Sequence, residues 1–218
     1  MLPGVVQSST SGGSLGFDAD TVIAADVAAL FRAQGYAFCL RYLSIGTPQD
    51  AGDLSTAEAL DILNAGLALM PVQHVLKSPW APTLALGNEF GANAAANAQE
   101  VGFPAGVCVW CDLEGVAAGT AAQDVIDYCT AWFEGVSAAG YLPGLYVGPD
   151  CVLDGAQLYA LPFGHYWQAA SQTPNLAGRG YQMQQRLVRD PVNGIGIDAN
   201  QTHEDSAVGR AKWLILGN

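Results

Sequence analysis

The chain has 218 residues, of which 50% are hydrophobic and 13% are charged. Acidic residues outnumber basic ones by 20 to 8, so the net charge is -12 and the pI is near 4.3. This balance argues against a nucleic-acid partner, because phosphate binding depends on clustered Lys and Arg side chains. The length and the apolar content predict one compact domain over residues 15–218, preceded by a flexible N-terminal arm over residues 1–14.

The sequence disfavours both membrane insertion and a disulfide framework. No apolar run reaches the roughly 18 to 20 residues that span a bilayer. Residues 1–14 lack the basic start and the apolar stretch of a secretory signal, so we expect synthesis in the cytoplasm without a signal peptide. The cysteines are odd in number and lie mostly in apolar segments, which predicts reduced core thiols at Cys39, Cys108, Cys111, Cys129 and Cys151.

Four segments share one local pattern, in which a helical stretch ends in Gly and is followed by an aromatic residue or Leu and then an apolar run. A glycine just past a helix adopts the left-handed conformation that stops the helix. The stopping glycines lie 31, 36 and 38 residues apart, at Gly35, Gly66, Gly102 and Gly140. This spacing is the length of a βα unit, and the near-continuous apolar strands indicate a parallel sheet covered by helices.

In chain order, helices are predicted at 21–34, 55–65, 87–101, 120–139 and 152–160. Strands are predicted at 15–18, 37–43, 67–75, 106–114, 142–148, 164–170, 180–185 and 195–199. Eight parallel strands with about five or six helices predict an α/β fold, a TIM-like (β/α) barrel. The matching segments LGFDAD (15–20) and IGIDAN (195–200) support closure, because the first and last strands of a barrel are neighbours. An open doubly wound sheet remains the alternative, although no G-x-G-x-x-G follows the first strand.

The segment GVCVWCDLEG (106–115) is an apolar run that ends in two carboxylates. Strand alternation turns Asp112 and Glu114 into the barrel, at the carboxyl end where such barrels have active sites. Asp18 and Asp198 are expected at the same rim. Convergent carboxylates raise the proton affinity of at least one of them. Glycoside hydrolysis needs such a protonated acid beside an ionised carboxylate.

Other predicted strand ends carry aromatic and polar groups. Aromatic faces stack on sugar rings, while amides and guanidinium groups bind hydroxyls, so these positions predict a saccharide groove. The candidate substrate-binding residues are Arg41, Tyr42, Gln73, His74, Tyr146, Trp167, Gln168 and Gln184. No metal site is predicted, because the chain has only 3 His residues, and the lack of a G-x-S-x-G segment argues against serine hydrolysis.

In their order, these motifs resemble the glycoside-hydrolase-like domain family 1906, relatives of the family 25 lysozymes. The resemblance runs from about Gly16 to Trp213 and rests on GFDADT, FCLRYL, NAGLALMPV, VWCDLEG, GYLPGLYVG, YWQAA and GIDAN. It implies a distorted βα barrel with reduced helices. By position it implies Glu114 as proton donor, Asp112 and Asp198 as groups that stabilise the oxocarbenium-like state or position water, and Asp18 as a modulator of the charge.

The resemblance also implies a substrate, the glycan of peptidoglycan between N-acetylmuramic acid and N-acetylglucosamine. We therefore expect a monomeric, cofactor-free glycosidase of the muramidase type, such as a phage endolysin. It would act at the bacterial cell wall after release by lysis or non-classical export. Two alternatives stay open, namely a non-catalytic saccharide-binding barrel and a metal-dependent hydrolase whose carboxylates hold a divalent ion.

Overall fold

The computed structural model describes residues 1–176, 178–207 and 209–217. In this part of the chain the strands are β1 (Val5–Ser8), β2 (Leu15–Ala19), β3 (Phe38–Leu43), β4 (Ala68–Gln73), β5 (Cys108–Leu113), β6 (Leu142–Val147), β7 (His165–Gln168), β8 (Met183–Leu187), β9 (Asp198–Thr202) and β10 (Lys212–Ile215). The helices are α1 (Ala25–Ala33), α2 (Thr56–Asn64), α3 (Leu84–Val101), α4 (Ala122–Ala138) and α5 (Gly155–Ala160). None of these helices is both long and apolar enough to cross a membrane.

Strands β2 to β9 form a closed barrel. Their order is β4-β3-β2-β9-β8-β7-β6-β5, and pairing between β4 and β5 closes the ring. This arrangement confirms the predicted eight-stranded barrel with a reduced set of helices. The four glycines that were expected to stop helices all have positive φ, from 86° at Gly66 to 102° at Gly102. Each one lies in the connection between a helix and the barrel strand that follows it.

The prediction that all eight strands are parallel is wrong for the last one. Strands β2 to β8 are parallel to one another, whereas β9 is antiparallel to both β2 and β8. A parallel crossover needs roughly a dozen residues or more, and residues 188–197 are too few to hold a helix. The chain therefore turns straight back, and β9 begins at Asp198 instead of ending near it.

Two further strands lie outside the predicted set. β1 pairs antiparallel with β10 along its whole length, and β10 pairs with β4 through Leu214 and Leu69. The buried Leu2 donates its N–H to the carbonyl of Gly102 at 2.7 Å. The segment predicted as a flexible arm thus contains a paired strand. Each strand has only four residues, so its pairing partner and not its own pattern stabilises it.

The barrel wall separates two apolar clusters. The cluster inside the barrel includes Trp110, Trp167 and Trp213, whereas the cluster between wall and helices includes Val109 and Leu113. This division confirms the alternation predicted for β5, with Cys108, Trp110 and Asp112 facing inward. The five cysteines are buried and unpaired, as predicted.

Candidate active site at the barrel mouth

Four carboxylates lie at one end of the barrel, which we call the mouth. Asp18 on β2 is directly opposite Asp198 in the antiparallel β2–β9 ladder. Asp112 lies near the end of β5, and Glu114 follows that strand. Because β9 is antiparallel, its first residue reaches the rim that the parallel strands reach with their last residues.

Three adjoining cavities form a groove across the mouth, which we call the mouth groove. The central cavity, of about 250 Å³, is lined by Tyr42, Asp112, Glu114, Tyr146, Pro149, Ala169, Ala170, Ser171, Gln185, Leu187 and Asp198. A second cavity of about 270 Å³ shares Tyr42 and Asp198 with it and adds Asp18 and Asp20. A third cavity of about 300 Å³ shares Glu114 and Pro149. Glu114 therefore lies where two of the cavities meet.

Asp18 is buried and held by two amides. Its Oδ2 accepts hydrogen bonds from Gln185 Nε2 at 3.0 Å and from Asn200 Nδ2 at 2.6 Å. Burial nevertheless raises the pKa of Asp18 to about 7, and the negative charge of Asp198 adds a smaller contribution. The Tyr146 hydroxyl donates to Gln185 Oε1 at 3.0 Å, which fixes the orientation of that amide.

Asp112 is 7% exposed, and its Oδ1 has no hydrogen-bond partner among the described residues. Burial raises its pKa well above the ordinary value, and the charges of Glu114 and Asp18 raise it further. Buried polar atoms in native proteins nearly always have a partner. Asp112 also lines the central cavity, so this carboxyl group borders the groove while its Oδ1 lacks the partner that a purely structural group would have.

Glu114 is partly exposed, and its backbone is held from two sides. Trp80 Nε1 donates to the Glu114 carbonyl at 2.7 Å, and the next N–H, of Gly115, donates to the Pro149 carbonyl at 2.9 Å. A Cβ at Gly148 would lie 2.5 Å from Glu114 Oε2, so this position needs a glycine. Burial raises the pKa of Glu114, and the Asp198 carboxylate raises it further. Burial likewise raises the pKa of Asp198.

Among the predicted substrate-binding residues, Tyr42 and Tyr146 line the mouth groove. His74 stacks on the Tyr42 ring at 4.4 Å between centroids and lies at the edge of the groove. Trp167 is buried inside the barrel, where its ring meets that of Tyr146 edge-on at 4.5 Å. Trp167 is therefore placed to support the groove from beneath and not to contact a ligand.

Arg41 and Gln73 lie on the outer face of the barrel, which corrects their assignment to the groove. The Arg41 guanidinium is buried against Glu58, with 2.6 Å between Nε and Oε1. Gln73 donates to the Phe90 carbonyl at 2.9 Å and accepts from Trp132 Nε1 at 2.7 Å. Along each strand these two positions alternate with inward-facing residues. A place at the end of a strand therefore does not by itself show that a side chain faces the groove.

Gln168 and Gln184 are corrected for the same reason. They hydrogen-bond each other at 3.1 Å on the outer face and line none of the three cavities of the mouth groove. Gln185 on β8 and Asn200 on β9 face inward, and the sequence prediction missed both. Side chains two positions apart on a strand face the same side, so Gln185 follows from Met183 and Asn200 follows from Asp198.

One set of three side chains among the described residues offers metal-ligating atoms within 4.8 Å of one another, namely Asp20, Asp53 and His74. It lies beside Tyr42 at the edge of the mouth groove. The four mouth carboxylates do not form such a set in the described part of the chain.

Comparison with known proteins places this architecture in a family. The model of the Rv2525c-like, glycoside hydrolase-like domain matches residues 29–206. No curated protein matches the chain in sequence. Among solved structures, the Tat-secreted protein Rv2525c of Mycobacterium tuberculosis is similar, with a TM-score of 0.68 and 19% identity over 92% of this chain and 99% of that one.

Two enzymes of known structure share the fold. The muramidase from Trichobolus zukalii has a TM-score of 0.60 and 14% identity, covering 87% of this chain and 93% of its own. The modular autolysin LytC from Streptococcus pneumoniae, solved with a synthetic peptidoglycan ligand, has a TM-score of 0.60 and 11% identity over 89% of this chain and 48% of its own. Since the family model covers most of the chain, the resemblance seen in the motifs is confirmed, and the chain belongs to the Rv2525c-like, glycoside hydrolase-like domain family.

Proposed function

We propose that this protein is a glycoside hydrolase of the muramidase type, which cleaves the glycan strand of bacterial peptidoglycan. The observation that carries the proposal is the pair Asp112 and Glu114 on one strand end. Both line the central cavity, both have a raised pKa, and Asp112 has an unpartnered oxygen. Glycosidic bond cleavage requires one carboxyl group that keeps its proton beside a second one that is ionised, and a pair of carboxyl groups in contact favours this division.

Glu114 is the proposed proton donor to the leaving glycosidic oxygen. It lies between two cavities, so the two sugars that flank a scissile bond would occupy one cavity each. Its raised pKa favours the protonated form that a general acid needs. Asp112 and Asp198 would stabilise the oxocarbenium-like state or position water, and Asp18 would adjust the charge of the cluster.

The walls of the mouth groove suit a saccharide. Tyr42 and Tyr146 offer aromatic surfaces, and Leu187, which is 73% exposed, offers an apolar one. The Trichobolus zukalii protein is named a muramidase, and LytC was solved with a peptidoglycan ligand, which supports a glycan of that class here. The proposed place of action is the bacterial cell wall.

The test is hydrolysis of purified peptidoglycan, with released reducing ends identified by mass spectrometry. The wild-type protein is expected to release them, and Glu114→Gln is expected to lower the rate by about 10² to 10⁴, the usual contribution of a general acid. Glu134→Gln, an exposed site on α4, is the matched control and should leave the rate unchanged.

Equal rates for Glu114→Gln and the wild type would overturn the role of Glu114. A wild-type protein that binds glycan fragments without releasing product would favour the non-catalytic saccharide-binding barrel. Circular dichroism of each variant separates a lost proton donor from a lost fold.

A further inference from the structure

Three side chains from three loops meet beside Tyr42, outside the four mouth carboxylates. Asp20 follows β2, Asp53 precedes α2, and His74 follows β4. The His74 Nε2 atom lies 2.9 Å from Asp53 Oδ1 and 3.4 Å from Asp20 Oδ1. β2, β3 and β4 are adjacent in the barrel, which brings the three loops to one part of the rim.

These separations are close to those of ligands around one small metal ion. Imidazole nitrogen and carboxylate oxygen bind zinc at about 2.0 to 2.2 Å, which sets the ligand atoms of a tetrahedral ion roughly 3.3 to 3.6 Å apart. The 3.4 Å between His74 Nε2 and Asp20 Oδ1 lies within this range, and the 2.9 Å contact with Asp53 Oδ1 would lengthen by about 0.5 Å. An ion would therefore need little rearrangement of the side chains.

Neighbouring groups orient two of these three side chains, Asp53 and His74. The Ser44 hydroxyl donates to Oδ2 of Asp53, which leaves Oδ1 directed at His74. The His74 ring is stacked on Tyr42, with 21° between the ring planes. Metal ligands in proteins are commonly held in this way by a second layer of contacts.

The charge around Asp53 is an independent reason to expect a cation. Asp53 is 8% exposed, and within the described residues it makes no ion pair with Lys or Arg. By contrast, the buried Glu58 pairs with Arg41 and the buried Asp205 pairs with Arg179. A buried carboxylate needs a compensating charge. Within the described residues no guanidinium or ammonium group supplies that charge to Asp53, and a bound cation would supply it.

We propose that Asp20, Asp53 and His74 bind one divalent transition-metal ion of the zinc class. One imidazole and two carboxylates are a ligand set that suits zinc better than calcium or magnesium, which prefer oxygen alone. Asp20 is 71% exposed on its side chain, so the ion has access from solvent and keeps a free coordination position. The ion adds positive charge at the edge of an otherwise acidic groove, where an anionic group of a ligand can bind.

The test is calorimetric titration of the whole chain with zinc chloride after removal of metal with a chelator. One ion per chain is expected. His74→Gln and Asp53→Asn should each weaken binding by about 100-fold or more, since even second-layer changes cost 10- to 100-fold. Asp50→Asn, an exposed carboxylate on the loop that also carries Asp53, is the matched control and should bind as the wild type does.

Zinc should also raise the Tm of the wild type and of Asp50→Asn, but not that of His74→Gln. Glu114→Gln should bind zinc normally, so this test does not depend on hydrolytic activity. No binding by the wild type would overturn the proposal and leave only the His74–Asp53 hydrogen bond. Undiminished binding by His74→Gln would overturn it as well, because the ion would then lie elsewhere.

Discussion

Two aspartates with the same solvent exposure, one at each end of the barrel, have pKa values shifted in opposite directions. Asp112 at the mouth and Asp205 at the opposite end are each 7% exposed. Asp205 accepts from Arg179 Nε at 2.8 Å, from Gln182, and from the N–H groups of Ala207 and Gly209 at 2.9 and 2.6 Å. These hydrogen bonds and the Arg179 charge outweigh burial and lower its pKa. Asp112 has no such partners, and its pKa is raised.

The difference shows that burial alone does not decide the state of a carboxyl group. Donors and cations around Asp205 stabilise its charged form, whereas the neighbours of Asp112 are themselves acids. Backbone strain follows the same division in part. Two of the three non-glycine residues with positive φ in the described chain, Asp150 and Val152, lie in the loop that follows β6 at the mouth, whereas the third, Asn193, hydrogen-bonds Gln34 just past the end of α1. The mouth therefore keeps acidic groups without compensating cations, in contrast to the site of Asp205, and it carries two of these strained positions.

Asp205→Asn should have the largest effect on stability. Removing one member of a buried ion pair leaves the Arg179 charge poorly compensated, at a cost of about 3 kcal/mol in the free energy of unfolding. Because the folded pKa of Asp205 is lowered, its stabilisation is present above the ordinary value of 3.8 and is lost as pH falls below it. Urea denaturation at neutral and at acid pH measures both effects. If the variant is as stable as the wild type at neutral pH, then the charged form of Asp205 does not stabilise the fold, and the contrast between Asp205 and Asp112 is wrong.

Asp112→Asn should abolish turnover and yet stabilise the fold by about 1 kcal/mol at neutral pH, because a neutral amide costs less to bury than a carboxylate. A raised folded pKa means that the stability associated with Asp112 is lost as pH rises above 3.8. The advantage of the variant should therefore grow with pH in urea denaturation. A loss of stability comparable to that of Asp205→Asn would mean that Asp112 is structural.

Trp80→Phe should lower kcat with little change in KM. It removes the N–H that holds the Glu114 carbonyl, at a cost of about 1 kcal/mol in stability. Trp132→Phe is the matched control, since its Nε1 donates to Gln73 on the outer face. Trp132→Phe should lose similar stability and keep its kcat. Equal losses of kcat in both variants would show that Trp80 acts only through the fold.

Val152→Gly should give the smallest effect, a gain of about 0.5 kcal/mol. Val152 has a φ of 70°, which is strained for a β-branched residue, and glycine relieves the strain while losing some chain entropy. Val152→Ala keeps the strain and serves as the control. Thermal denaturation in which the Ala variant is the more stable of the two would contradict strain in this loop.

Patterns within single segments were enough for much of the fold and part of the site. The stopping glycines marked the βα units, and alternation along β5 placed Asp112 and Glu114 inward. The pairing of Asp18 with Asp198 followed from two similar segments, although the direction of β9 did not. These features depend on contacts a few residues apart or on the two-residue period of a strand.

Tertiary structure alone decided what depends on distant neighbours. The same kind of strand-end residue became an outer ion pair at Arg41 and a groove residue at Tyr42, one position further on. The amides around Asp18 come from residues more than 160 positions away, and the Asp20, Asp53 and His74 cluster joins three separate loops. A local pattern determines which way a side chain points, but the partners that set its charge and its role are chosen only when the barrel closes.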